Sequence, residues 1–392
     1  MTRGMKKDTS LLNSGRKPED HHGIVNPPVY HASTVIRASV EAYEKAEKTP
    51  FDGVYYGLHG TPTTFAFEEA VASLEGGYRS VATCSGLAAI AGALVAFLKA
   101  GDHLLMVDAA YSPTRRLCNG LLAGFGIETT YYDPLIGNGI GDFLREETAA
   151  VFVESPGSLT FEVQDVGAIA KAAHDAGAVV IMDNTWSAGL YFAPFKHGVD
   201  VSIQAATKYI GGHSDLILGA ITAREDTFAR VKRSCVSLGY HAAPDDCYLG
   251  LRGLRTLSVR LARHQETGLQ LARWLARRPE VDRVLHPALA DCPGHELWKR
   301  DFTGACGLFG LVLKDYSSKA VAAMLDGMEV LAIGESWGGY ESLILPTKPA
   351  RNRTAIPWPV MAPTLRIHAG LEDPEDLICD LEKGLARLNG AA

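Results

Sequence analysis

Lys208, in Ala205-Ala206-Thr207-Lys208-Tyr209, follows a β-like run and precedes Gly211-Gly212, so it is placed to act as an amine nucleophile. Two other features give it partners. Asp183 follows Val179–Met182, a run that reads as a strand buried on both faces, and a carboxylate where water is scarce needs a cation. Cys84-Ser85-Gly86-Leu87-Ala88 joins a short strand to an Ala-rich helix, whose bare N–H groups face an incoming anion. An amine to condense with an aldehyde, a carboxylate to keep a ring nitrogen protonated, and a helix start plus the Thr207 hydroxyl for a phosphate meet the needs of pyridoxal 5'-phosphate. A charge pair of that kind is worth about 4 kcal/mol at roughly 4 Å and an effective dielectric of about 20, enough to fix the protonation state. Tyr111 is positioned to stack on such a ring and to take a proton from an incoming amine. Arg366, in Thr364-Leu365-Arg366-Ile367-His368, offers a substrate carboxylate a planar, always-charged partner, the alternative being an ion pair within the C-terminal region.

Strands must position these groups. Leu104–Val107, Ala150–Val153, Val179–Met182 and Val201–Ile203 are short apolar runs separated by Ala-rich helical stretches, the pattern of a parallel sheet between helix layers. Asp108 and Tyr111 follow the first run, Glu154 to Ser158 the second, Asp183 the third, and Thr207-Lys208 the last. Ligands of such sheets sit outside the carboxyl ends of the strands. Residues 1–60 are polar, carry Pro27-Pro28 and lack a sustained period, so they read as an arm that wraps another surface. The sheet pattern occupies 61–256. Leu257, Leu261, Gly268, Leu271 and Leu275 then predict a long helix, closed by Arg277-Arg278-Pro279, leading into a smaller domain over 257–392.

The composition narrows the class. With 392 residues, two or three domains are expected, and 47% hydrophobic with 21% charged residues is ordinary for a globular chain. The balance of 38 Lys+Arg against 45 Asp+Glu, net −7, gives no bulk attraction to nucleic acid or anionic membrane surfaces. The longest apolar run, Leu87–Leu98, falls short of the ~20 residues of a membrane span. The basic Met1–Lys7 leads into polar sequence rather than a signal peptide's apolar core. Seven cysteines stand singly, the pattern of reduced thiols, so a cytoplasmic, metal-free protein is expected. His295-Glu296 opens a zinc-protease pattern, but Lys299 occupies the second histidine's place. Gly334-Glu335-Ser336-Trp337-Gly338 matches a serine-hydrolase elbow in letters, yet Gly338-Gly339 and Pro346 oppose the helix that elbow requires.

The segments Val25-Asn26-Pro27-Pro28-Val29-Tyr30, Asp183-Asn184-Thr185-Trp186, Ala206-Thr207-Lys208-Tyr209, Gly212-His213-Ser214-Asp215, Arg252-Gly253-Leu254-Arg255-Thr256, Ser336–Leu343 and Gly370-Leu371-Glu372-Asp373 carry a resemblance that runs nearly end to end. The chain resembles the Cys/Met-metabolism family of pyridoxal-phosphate enzymes, and Ser336-Trp337 with Gly-Gly-Tyr-Glu-Ser resembles its β-lyase branch. The resemblance implies an α/β fold of the fold type I transferase class (aspartate-aminotransferase-like), with a mostly parallel large sheet and a smaller α/β C-terminal domain. It implies Lys208 as Schiff-base lysine and proton shuttle, Asp183 at the ring nitrogen, Tyr111 stacking, and Gly86, Leu87 and Thr207 on the phosphate. Ser158 is expected near the ring hydroxyl, Tyr56 as a phosphate ligand lent by a neighbouring subunit, and Arg366, Ser336 and Trp337 around the substrate carboxylate. A homotetramer built as a dimer of dimers, with sites at the dimer interface, accounts for the arm.

Two departures stand out. Leu58 occupies the place of the family's phosphate-pairing arginine and Ala205 that of a phosphate-binding serine, so weaker cofactor retention is expected unless His59 or a distant arginine compensates. Glu335 resembles the γ-cleaving relatives, whereas Trp337 resembles the β-cleaving ones; Glu335 is placed to hold a distal ammonium. The implied activity is β-elimination of L-cystathionine, an amino-acid thioether, to homocysteine, pyruvate and ammonia, within methionine biosynthesis. The alternatives are γ-chemistry on the same scaffold (cystathionine γ-lyase, methionine γ-lyase or O-acylhomoserine sulfhydrylase) and a non-catalytic cofactor-binding regulator.

Overall fold

The computed structural model describes residues 5–359 and 361–391, so Met1–Gly4 of the basic N-terminus lie outside the described residues. The large sheet contains β1 (Arg79–Thr83), β2 (His103–Val107), β3 (Glu128–Tyr132), β4 (Thr148–Glu154), β5 (Val179–Asp183), β6 (Val201–Gln204) and β7 (Gly219–Ala223). Their order is β1-β7-β6-β5-β4-β2-β3. Only β7 runs against the rest, antiparallel to both β1 and β6, while the other pairings are parallel. The four apolar runs become β2, β4, β5 and β6. Leu104–Val107 and Ala150–Val153 are wholly buried, as strands covered on both faces must be. The apolar run after Ser85 becomes the helix Gly86–Phe97, packed into the same core through Ile90, Ala93, Leu94 and Phe97. One edge of the sheet therefore receives the ends of β2, β4, β5 and β6 together with the start of that helix.

The second sheet comprises β8 (Val281–Leu285), β9 (Leu308–Leu313), β10 (Leu343–Thr347) and β11 (Thr364–His368), in the order β10-β11-β9-β8 and antiparallel throughout. Its core joins Phe309, Leu311, Ile344, Leu365 and Ile367 to helices Ser318–Leu325 and Pro374–Gly390. The predicted long helix is Leu257–Leu275. Leu257 and Leu261 pack in the large core, Leu271 and Leu275 in the small one. At roughly 1.5–3 kcal/mol for each fully buried leucine, this helix bolts one layer system to the other.

Three features escape the sequence patterns. The arm forms helices Lys7–Asn13 and Val40–Lys48. Leu11 enters the large core, Lys7 Nζ donates to the Leu190 carbonyl (2.7 Å), and Arg255 Nη1 donates to those of Leu11 (2.6 Å) and Ser14 (2.8 Å). Beyond it Ile24, Val25, Ile36, Val40 and Tyr43 remain exposed. The edge strand β3, Glu-Thr-Thr-Tyr-Tyr, carries no apolar run because one side has no neighbour. A helix Pro244–Arg255 also precedes the predicted one, with Pro244 at its first turn. Among the described residues no helix is long and apolar enough to cross a membrane, and no group of three His, Cys, Asp or Glu is placed to hold a metal ion.

Candidate active site

A cavity of about 720 Å³ opens at the carboxyl edge of the large sheet and is closed by the small one. Lys208 reaches it from the turn after β6, where its N–H donates to the Ala205 carbonyl (3.0 Å). Nζ donates to Ser336 Oγ and lies 5.4 Å from the Trp337 ring centre. Burial pulls the amine down to about 8; Arg366 adds to that, while Asp183 and Glu335 oppose it. The neutral, nucleophilic form is thereby brought near physiological pH. Backbone geometry permits the close approach: Gly338 has φ 90°, and a Cβ there would sit 2.8 Å from the Lys208 carbonyl carbon. Ser336 itself has φ 75°, an unusual conformation for a non-glycine residue, held by its Lys208 contact and by Arg366 Nη2 donating to its carbonyl (2.7 Å).

Asp183 and Glu154 are neighbours across β5 and β4. Asp183 Oδ1 accepts from Thr185 N–H (3.0 Å) and Thr185 Oγ1 (2.5 Å), whereas Oδ2 has no hydrogen-bond partner among the described residues. Burial raises the Asp183 pKa, and the Thr185 bonds and Lys208 counter it. Glu154 is pushed well up, by burial first and by Asp183 second. Two adjacent buried carboxyls resist ionising together, which leaves Asp183, with its hydroxyl and amide donors, as the better carboxylate. Glu154 Oε2 accepts from the Tyr111 N–H (2.7 Å), fixing the loop that carries the phenol. Burial, then Glu154, Asp183 and Glu335, raise the Tyr111 pKa.

The residues present fit pyridoxal 5'-phosphate. Ser85 caps the helix Gly86–Phe97 through Oγ, which accepts from Ala88 N–H (3.0 Å), and the first N–H groups, on Gly86 and Leu87, find no partner among the described residues. A Cβ at Gly86 would stand 2.6 Å from Ala205 Cβ, so both positions are small because the helix start abuts the lysine turn. Thr207 Oγ1 accepts from Leu218 N–H (3.0 Å) and donates to the Leu218 carbonyl (3.2 Å); its proton can turn to a phosphate oxygen without losing the first bond. The free Oδ2 of Asp183, the Lys208 amine and these N–H groups all open on one cavity.

Of the expected residues, Gly86, Leu87, Tyr111, Ser158, Asp183, Thr207, Lys208, Glu335, Trp337 and Arg366 line it together, and Ser336 joins them through Lys208. Arg366 has no carboxylate within 4.0 Å among the described residues, so the alternative of an internal ion pair is absent there. Tyr56 and His59 do not line the cavity of their own chain. Tyr56 is exposed, and His59 stacks on Tyr55 (5.2 Å) with Nδ1 against the Pro50 carbonyl. The hydrolase-like elbow is a loop, and His368 Nε2 faces the backbone of Gly338 and Gly339 instead of Ser336.

Sequence reasoning missed Arg116 and Asn352, which also line the cavity, and gave no role to Glu154. Asp108, grouped with the strand-end residues, is corrected: it lies outside the cavity, buried against Arg115 and Arg353. No local cue pairs residues 108 and 353; the demand of a buried carboxylate for cations was the available signal.

A family model described as Cys/Met metabolism PLP-dependent enzyme matches residues 8–386. The chain is 47% identical over 383 residues to a putative cystathionine beta-lyase of Rhizobium johnstonii, covering 97% of this chain and 96% of that one. It is 43% identical over 390 residues to the cystathionine beta-lyase of Escherichia coli, covering 98% and 99%. A crystal structure of cystathionine gamma synthase from Xanthomonas oryzae pv. oryzae in complex with cystathionine superposes with a TM-score of 0.90 at 30% identity, covering 99% of this chain and 100% of that one.

Proposed function

Because the chain belongs to the Cys/Met-metabolism family of pyridoxal-phosphate-dependent enzymes, we propose that it β-eliminates L-cystathionine to homocysteine, pyruvate and ammonia. The supporting observation is the buried Lys208 amine, which shares one cavity with the Asp183 carboxylate and the Arg366 guanidinium. When bound, the cofactor supplies an electron-withdrawing ring that accepts the negative charge developing at the substrate Cα. The chain does the rest. Arg366, without a carboxylate partner among the described residues, takes the α-carboxylate bidentately. Asp183, whose Oδ1 is engaged by Thr185, would hold the ring nitrogen protonated. Lys208 Nζ would take the Cα proton and pass a proton to the departing sulfur, with Ser336 Oγ orienting the amine. Trp337 and Tyr111 wall the site against water.

Arg116 and Glu335 give the remaining wall one charge of each sign, which suits the carboxylate and ammonium at cystathionine's far end. Glu335 and the likeness to a γ-synthase favour the second reading, γ-chemistry on the same scaffold. The keto acid decides: pyruvate from cystathionine supports β-cleavage, and 2-oxobutyrate refutes it.

Cytoplasmic residence and a homotetramer made of two dimers belong to the same proposal. Exposed Ile24, Val25, Ile36 and Val40 on the arm support a subunit contact that also brings Tyr56 and His59 to a neighbour's site. With Leu58 in place of a cation, cofactor retention is weak in this reading; a cofactor Kd unchanged in Leu58→Arg refutes that part.

A further inference from the structure

Residues 348–363 join β10 to β11, and the described ones among them hold no strand, only the short turn Pro349–Arg351. A buried ion cluster fixes them. Asp108, wholly buried, accepts from the N–H groups of Thr354 (2.9 Å), Ala355 (3.1 Å) and Ile356 (3.1 Å) and from Thr354 Oγ1 (3.0 Å). It also pairs with Arg353 Nε (3.2 Å) and Arg115 Nη1 (3.0 Å). Arg353 Nη1 continues to Glu162 Oε1 (2.7 Å) and Thr160 Oγ1 (3.2 Å). The cluster thus ties three loops together, those carrying Tyr111, Ser158 and Asn352.

The geometry gives this clasp a purpose. Asn352 lines the active-site cavity, and its side-chain amide has no hydrogen-bond partner among the described residues. Leu345 lies opposite Arg366 in the β10–β11 register, and Leu345, Pro346 and Thr347 line the same cavity. An α-carboxylate held by Arg366 would therefore set a bound amino acid beside this wall. Behind it a second cavity of about 630 Å³, lined by Lys348, Ala350 and Trp358, leaves the segment room to move if untied.

We propose that the Asp108–Arg353 clasp determines substrate specificity by holding Asn352 and residues 345–347 against the distal half of a long, zwitterionic thioether, without taking part in C–S cleavage. The inference rests on the cystathionine reading and deepens it. Arg353 is a positioning residue, and Asn352 is the group it presents. In the Arg353→Lys holoenzyme, the cationic charge stays but the fork that reaches both Asp108 and Glu162 is lost. Steady-state kinetics on cystathionine and on β-chloro-L-alanine, which has no distal arm, separate the possibilities. Expected is a KM for cystathionine raised at least tenfold, with kcat/KM for β-chloro-L-alanine within threefold of wild type. Asn352→Ala raises the cystathionine KM similarly. If Arg353→Lys does not fold, Thr354→Val, which removes the Oγ1 hydrogen bond tying the segment to Asp108, is read in the same direction with a smaller expected rise, threefold or more, in the cystathionine KM. Equal losses on both substrates, or none on either, overturn the proposal. This ratio is independent of which keto acid cystathionine yields, so failure of the β-cleavage reading shows separately, as 2-oxobutyrate from the wild type.

Discussion

Replacing Lys208 by methionine should make the cofactor-free protein more stable at neutral pH while abolishing turnover. The amine is buried and falls from its ordinary 10.5 to about 8. For a base whose folded pKa lies below its unfolded one, the folded state binds fewer protons between those two values. Stability contributed by this group therefore rises with pH from 8 to 10.5, and the full penalty is present below 8. At 1.36 kcal/mol per pH unit the fall corresponds to about 3 kcal/mol. Methionine has similar length and no charge, but it forfeits the hydrogen bond to Ser336 Oγ, worth about 1 kcal/mol. The net expectation is a gain of about 2 kcal/mol at pH 7 that fades by pH 10.5. Urea unfolding of both cofactor-free proteins at fixed concentration, from pH 6.5 to 10.5, measures it. A variant no more stable than wild type at pH 7, or a gain that does not shrink with pH, refutes the reasoning that burial holds Lys208 near neutrality.

Other consequences follow from the same geometry. Gly338→Ala forces a side chain against the Lys208 backbone at a left-handed φ, so it should cost about 2–4 kcal/mol in unfolding free energy and slow turnover at least a hundredfold; unaltered kinetics would contradict the close approach. Arg366→Lys keeps a charge but not the planar fork, and KM for cystathionine should rise tenfold or more, read directly from initial rates. Glu75 is wholly enclosed by Ser202, Gln204 and Asn184, and burial raises its pKa to about 7. The folded state then holds its proton where the unfolded chain, at 4.5, does not, so this contribution to stability falls as pH rises from 4.5 to 7. Glu75→Gln should flatten that slope in denaturation curves, and an unchanged slope would assign it to another group.

The parts of this molecule that were legible in the sequence are those whose environment is set locally. β2, β4, β5 and β6 announce themselves because both faces are covered, and Lys208 and Asp183 because each follows such a strand. The helix Leu257–Leu275 is legible through its apolar stripe. Illegible were features decided by distant partners. β3 is an edge strand with polar, half-exposed residues. The clasp needs Asp108 and Arg353, far apart in sequence, to meet. Leu11 sits in the core although Leu12 beside it is exposed and the rest of its helix is polar, and one buried residue makes no period. Arg116 and Asn352 reach the cavity through loops whose course no local pattern specifies.

The claim on which the account turns is that the Lys208 amine carries the cofactor. Borohydride reduction of purified protein supplied with pyridoxal 5'-phosphate, followed by peptide mapping, tests it directly. The account predicts a yellow protein bleached by the reagent, with one label per chain on the peptide containing Lys208. A colourless protein, or label on a different lysine, would contradict it.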